Sequence, residues 1–87
     1  MPEISRFYGI IIYMYLKDHY PPHFHAKHGD FEAIFSIETG EIFKGELPKK
    51  QMRLVQAWTE LHRDELSENF RLLSTEQATY FKIKPLE

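Results

Sequence analysis

The stretch His23-Phe24-His25-Ala26-Lys27-His28-Gly29-Asp30-Phe31-Glu32-Ala33-Ile34-Phe35-Ser36 reads as two strands joined by a two-residue turn at Gly29-Asp30. Such a turn pairs His28 with Phe31, and every other pair follows from it. Lys27 then faces Glu32, an opposite-charge pair across the strands. Alternation sorts the remaining side chains. Phe24, Ala26 and His28 share a face with Phe35, Ala33 and Phe31, while His23, His25 and Lys27 share the other with Ser36, Ile34 and Glu32. One face is apolar and the other carries two histidines.

Upstream, residues 4–16 are β-branched and aromatic, which suits strands. Gly9 marks a bulge or bend between a short first strand and a longer second one. Ile10, Ile12, Met14 and Leu16 fall on one face, and Ile11, Tyr13 and Tyr15 on the other. A strand apolar on both faces is expected to be central and covered twice. Residues 17–22, Lys-Asp-His-Tyr-Pro-Pro, form a turn that Pro22 and the residue before it hold extended.

Downstream, Glu38-Thr39-Gly40 is read as a three-residue turn with Gly40 left-handed. That register sets Phe35 opposite Phe43, Ala33 opposite Gly45 and Phe31 opposite Leu47, so the apolar face stays whole. It adds Ile42 and Lys44 to the histidine face. Pro48 suits the first position of a helix. Met52, Val55, Trp58, Leu61, Leu66, Phe70 and Leu73 recur at nearly helical spacing, with a slip near His62–Leu66. One bent helix or two short ones are expected over 48–77. Thr79–Lys84 reads as a last edge strand ending before Pro85. The architecture is α+β: an antiparallel sheet of four to five strands with helix packed on one face. The helix is expected to cover Phe24, Phe31, Phe35 and Phe43, and to leave His23 and His25 open.

The 87 residues make one domain, with a core limited by burying roughly 60–65% of the unfolded surface. A hydrophobic content of 43% and an aromatic content of 15% still argue against disorder. The net charge of −2 offers no global field toward nucleic acid or acidic membrane. The absence of cysteine excludes disulfides and thiolate metal sites. The longest apolar run, Phe7 to Leu16, is too short to cross a bilayer and lacks the flanks of a signal peptide, so the expected location is the cytoplasm.

Four of the five histidines lie between His19 and His28. His23 and His25 project the same way from one strand, as a chelating pair requires. His19, on the turn before them, could curl over as a third ligand, and Asp18, Glu32 or Glu38 could add a carboxylate. A divalent metal such as zinc would then keep a position for water. The same three histidines could instead act as acid–base catalysts without metal, beside Lys27 and Lys44 and with Tyr13 and Tyr15 near. The plain alternative is a row of strand histidines titrating in solvent. His28 reads as a capping or core-edge residue, and His62 as structural or solvent-facing. Lys49, Lys50 and Arg53, with Lys44 just before, oppose the dipole at the helix start and mark a candidate anion or nucleic-acid site.

Several segments resemble a family of small bacterial proteins, domain-of-unknown-function family 4160. They are Pro2-Glu-Ile-Ser-Arg-Phe-Tyr-Gly-Ile-Ile-Ile-Tyr-Met-Tyr15, Asp18-His-Tyr-Pro-Pro-His-Phe-His25, Ala33-Ile-Phe-Ser-Ile37, Gly45-Glu-Leu-Pro48 and Trp58-Thr-Glu-Leu-His-Arg-Asp-Glu-Leu66. His19, Pro21, Pro22, His23 and His25 match positions typical of that family. The resemblance implies a short stand-alone prokaryotic protein, often encoded beside another small protein in the manner of a toxin–antitoxin module. It brings no catalytic residue with it. Three functions are therefore expected in turn. The first is a member of such a pair, acting through a cognate protein and RNA or DNA contacts at Lys44, Lys49, Lys50 and Arg53. The second is a hydrolase or nuclease built on His19, His23 and His25. The third is a metal- or ligand-binding module using the same histidines. A homodimer is expected, because an open Ile11, Tyr13 and Tyr15 face would be a large apolar patch.

Overall fold

A computed structural model describes residues 2–87. Five strands run β1 Glu3–Phe7, β2 Ile10–Tyr13, β3 His23–His28, β4 Phe31–Ser36 and β5 Ile42–Glu46, followed by one helix, α1 Lys49–Leu73. They form a single antiparallel meander in the order β1-β2-β3-β4-β5, so the fold is α+β. The central strand is β3. β2 lies between β1 and β3, and both of its faces are lined.

The β3–β4 hairpin has the expected register, from His28 opposite Phe31 to His23 opposite Ser36. Gly9 belongs to a tight turn rather than a bulge: Tyr8 and Gly9 both adopt positive φ, 48° and 75°, and connect β1 to β2. The bulge on β1 falls at Ile4, between the pairs Glu3–Tyr13 and Ser5–Ile12.

The register of β5 is half as expected. Ala33 does face Gly45, but Phe35 faces Ile42, not Phe43, because the pairing shifts between Ile34 and Phe35. Phe43 is the extra residue of a bulge. It therefore leaves the apolar face and turns toward the histidines, and Ile42 takes its place against the core. Phe43 stays 54% exposed and Phe31, at the strand end, 43%, so the helix covers Phe24 and Phe35 alone of the four expected phenylalanines.

Gly45 makes this strand pairing sterically feasible. A Cβ built there would sit 2.3 Å from the Glu32 carbonyl oxygen, and φ is +80°. No L side chain is at ease in that conformation. Gly45→Ala is expected to cost at least about 2 kcal/mol, read as a lower urea midpoint at unchanged slope. An unchanged midpoint would mean that β5 is not held this close to β4.

The core lies between the other sheet face and α1. Ile4, Ile10, Ile12, Met14, Phe24, Phe35 and Ile37 meet Val55, Trp58, Leu66 and Leu73, all of them 0–1% exposed. Phe24 and Phe35 stack with ring centroids 5.3 Å apart. The helix begins one residue after Pro48, which serves as N-cap with φ −56° and ψ 149°. It bends at His62, whose φ of −127° and ψ of 24° are not helical. The slip in hydrophobic spacing marks that bend. His62 packs on Trp58 and hydrogen-bonds Glu65, so its role here is structural.

The final strand does not form. Residues 79–84 make one backbone hydrogen bond to β1, from the Ile83 N–H to the Ile4 carbonyl at 3.0 Å. Helix side chains satisfy much of the rest. The buried Asn69 donates to the Phe81 carbonyl and accepts from its N–H, at 2.8 and 2.9 Å. The Trp58 Nε1–H donates to the Lys84 carbonyl at 2.9 Å. Side chains of α1 thus replace the ladder partners that a strand would need. No helix among the described residues is long and apolar enough to cross a membrane.

Candidate metal centre

The histidine face of the sheet is not an open surface. Tyr13 is opposite His25 in the β2–β3 pairing, and its ring stacks on the imidazole at 5.1 Å with a tilt of 16°. Tyr15 meets the same imidazole edge-on at 4.7 Å. Phe43, delivered by the β5 bulge, lies 5.9 Å from His23, and Phe70 from α1 lies 5.6 Å from it. His23 and His25 are each only 8% exposed, so neither belongs to a solvent-exposed row on the strand. Of the three residues expected to form an apolar patch on this face, Tyr13 is buried within the chain, Ile11 is half-buried and Tyr15 is exposed.

The 17–22 turn is tied down at both ends. The Lys17 N–H donates to the Leu73 carbonyl at 3.0 Å, and the Ile37 N–H donates to the Pro22 carbonyl at 3.2 Å. Lys17 has φ 51°, and the Tyr20–Pro21 peptide bond is cis. This path brings Asp18 over the two histidines. One carboxylate oxygen, Oδ1, accepts the His19 backbone N–H at 2.8 Å. The other, Oδ2, lies 2.8 Å from His23 Nε2 and 3.5 Å from His25 Nε2. The ligand atoms of Asp18, His23 and His25 all fall within 4.8 Å of one another.

The hydrogen bonds define what this cluster lacks. His23 Nδ1 is 2.7 Å from the Pro21 carbonyl, which can only accept, so Nδ1 carries a proton. Nε2 then faces a carboxylate, and that contact needs a second proton or a metal ion. His25 Nε2 is buried with no hydrogen-bond partner. An orphaned buried nitrogen costs about 1–3 kcal/mol, and a cation at the Asp18 oxygen would satisfy it. Two imidazoles and a carboxylate, with one imidazole pinned through its other nitrogen to a backbone carbonyl, match the donor set and outer shell of first-row metal sites. Ligands of a tetrahedral ion lie roughly 3.3 Å apart, and the Asp18 oxygen stands 2.8 and 3.5 Å from the two imidazole nitrogens.

Burial holds the His25 imidazole below its ordinary value of 6.5, against the pull of the Asp18 carboxylate. Burial alone would raise Asp18, but the His19 N–H and the His23 imidazole outweigh it and hold the carboxyl below 3.8. Both groups bind fewer protons folded than unfolded, so acid opposes folding. Metal-free protein is expected to lose stability as pH falls below about 6.5, where unfolded His25 begins to bind protons, and again below about 3.8 through Asp18. Urea midpoints measured from pH 7.5 to pH 3 check this, and His25→Gln is expected to flatten the first decline.

Of the sequence candidates, the fold brings His23 and His25 together. His19 is exposed on the wall of the cleft, while Asp18 takes the third position. Glu38 is exposed in its turn and outside the cluster. Lys44 lines the cleft, whereas Lys49, Lys50 and Arg53 lie exposed along the start of α1 and do not line it. His28 caps the β1–β2 turn, with Nδ1 3.0 Å from the Gly9 carbonyl, as its core-edge reading requires.

A family model described as Domain of unknown function (DUF4160) matches residues 9–71. The chain belongs to this family. The matched region contains Asp18, His23, His25, Tyr15 and Lys44, and stops short of the C-terminal segment that Asn69 and Trp58 secure. No curated protein and no solved structure matches the chain.

Proposed function

We propose that this protein binds one divalent first-row metal ion through Asp18, His23 and His25, in a centre of catalytic form. The observation that carries the reading is the buried, unpartnered Nε2 of His25 facing the oxygen that already engages His23. Three protein ligands leave the remaining positions of the ion to water and to whatever enters the cleft. A water held there would be acidified toward neutral pH, and the reaction class that follows is metal-assisted hydrolysis. The hydrophobic wall of Tyr13, Tyr15 and Phe43 around the imidazoles fixes their orientation before metal arrives.

The test is zinc titration of purified protein stripped with chelator, followed by elemental analysis after dialysis. One zinc per chain is expected for the wild type, and none for His25→Ala or Asp18→Asn. Retention of zinc by both variants would place the metal elsewhere, and no uptake by the wild type would end the reading.

A further inference from the structure

The cleft above the cluster extends well past the three ligands, and its lining has a definite chemistry. It encloses about 320 Å³, at the lower end of the range for small-molecule sites. Tyr15, Tyr20, Pro21, Ile34 and Phe43 make most of its wall, so the wall is mainly apolar. The cationic member is Lys44. His25 pairs with Ile34 and Ile34 with Lys44, so the three lie in one row across β3, β4 and β5. Two strand spacings separate Lys44 from His25, about 10 Å between backbones, which a lysine side chain leaning inward largely spans. Among the described residues no carboxylate lies within ion-pair distance of Lys44. Glu32, on the same face one row along β4, shares the neighbouring groove with Tyr15, His25, Ile34 and Lys44 without pairing with the lysine.

We infer that the cleft takes a small organic anion with an apolar or aromatic body and one carboxylate or phosphonate-like head. The inference rests on the metal reading. The head fills the open side of the ion and meets the Lys44 ammonium, and the body lies between Tyr15, Tyr20 and Phe43. The ion with its single carboxylate ligand is net positive, and Lys44 adds a second positive charge on the same side. Glu32 offsets part of the lysine charge from beyond ion-pair distance, and a neutral ligand would leave the charge of the ion and the rest of that of Lys44 uncompensated. A highly polar anion would gain nothing from the aromatic wall, which Phe43 joins because of the bulge in β5. The combination therefore selects for an amphipathic anion over either extreme.

The experiment is calorimetric titration of zinc-loaded protein with benzoate, phenylphosphonate and the neutral benzyl alcohol. At least one of the two anions is expected to bind about ten-fold or more tightly than the alcohol. Lys44→Gln is expected to weaken that anion by about ten-fold with zinc still at one per chain, and Lys44→Arg to keep most of the affinity. Phe43→Ala is expected to weaken it several-fold. Suppose zinc loads normally but the anions bind no better than benzyl alcohol, or Lys44→Gln binds them as wild type does. The anion inference then falls and the metal reading stands. If zinc does not load at all, both fall together.

Discussion

Zinc in hundred-fold excess over its dissociation constant is expected to raise the melting temperature by about 10–20 °C. A ligand that binds only the folded chain at that excess adds about 2.7 kcal/mol, and each kcal/mol moves the midpoint of a domain this small by about 4–8 °C. The unfolded chain has no preformed site, because Asp18 reaches His23 and His25 through a turn that Lys17 and Ile37 anchor to the folded body. The cleanest control is Asp18→Asn. It keeps the shape of the side chain and removes the charge, so its metal-free melting temperature should fall by several degrees as the contacts to the His19 N–H and His23 weaken, while the zinc-induced rise disappears altogether. An equal rise in wild type and variant would show that zinc acts at some other site. Acid should erase the rise as well, since both imidazoles must be free of the competing proton to bind the ion.

Trp58→Ala is expected to cost about 3–5 kcal/mol, which the domain can scarcely lose. A chain of 87 residues has a total stability of about 4–13 kcal/mol at ordinary values per residue. Trp58 is completely buried and its ring meets Phe7 at 5.3 Å and Phe24 at 5.9 Å. Its Nε1–H also holds the Lys84 carbonyl. Truncation therefore opens a cavity between sheet and helix and releases the C-terminal segment at once. Trp58→Phe separates the two effects: it retains most of the volume and loses the hydrogen bond, for about 1–2 kcal/mol. Urea unfolding followed by circular dichroism reads both. A loss below about 1 kcal/mol for the alanine variant would contradict this packing.

What the sequence revealed of the fold depended on how rigidly each local signal constrains geometry. The Gly29-Asp30 turn is two residues long and leaves one register, so the whole β3–β4 pairing followed from it. The bend at His62 was legible because a helix cannot keep one apolar stripe across a slip in spacing. β5 defeated the same reasoning because one extra residue reverses the faces beyond it, and nothing in Ile42-Phe43-Lys44 announces a bulge. The segment Tyr80–Lys84 has the composition of a strand and buries only Ile83, but beyond one backbone bond to Ile4 its partners are the Asn69 and Trp58 side chains. At the site, the pairing of His23 with His25 follows from alternation alone. The choice of Asp18 over His19 does not, because loop geometry, with Lys17 at positive φ, decides which neighbour turns inward. The burial of the histidines was equally hidden, since Tyr15 and Phe43 reach them from other strands.

The two faces of the sheet divide stability from chemistry. The core side chains point one way from β2, β3 and β4, and Tyr15, Ile34, Phe43 and Lys44 stand on the other side around the cleft. Substitutions at those four positions can recast what the cleft accepts while the packing beneath α1 stays as it is. Descendants of such a chain could therefore diverge widely in ligand preference at little cost in foldability. His23 is the exception: it touches Phe70 as well as Asp18, so a lineage that abandons this histidine must also repack the end of the helix.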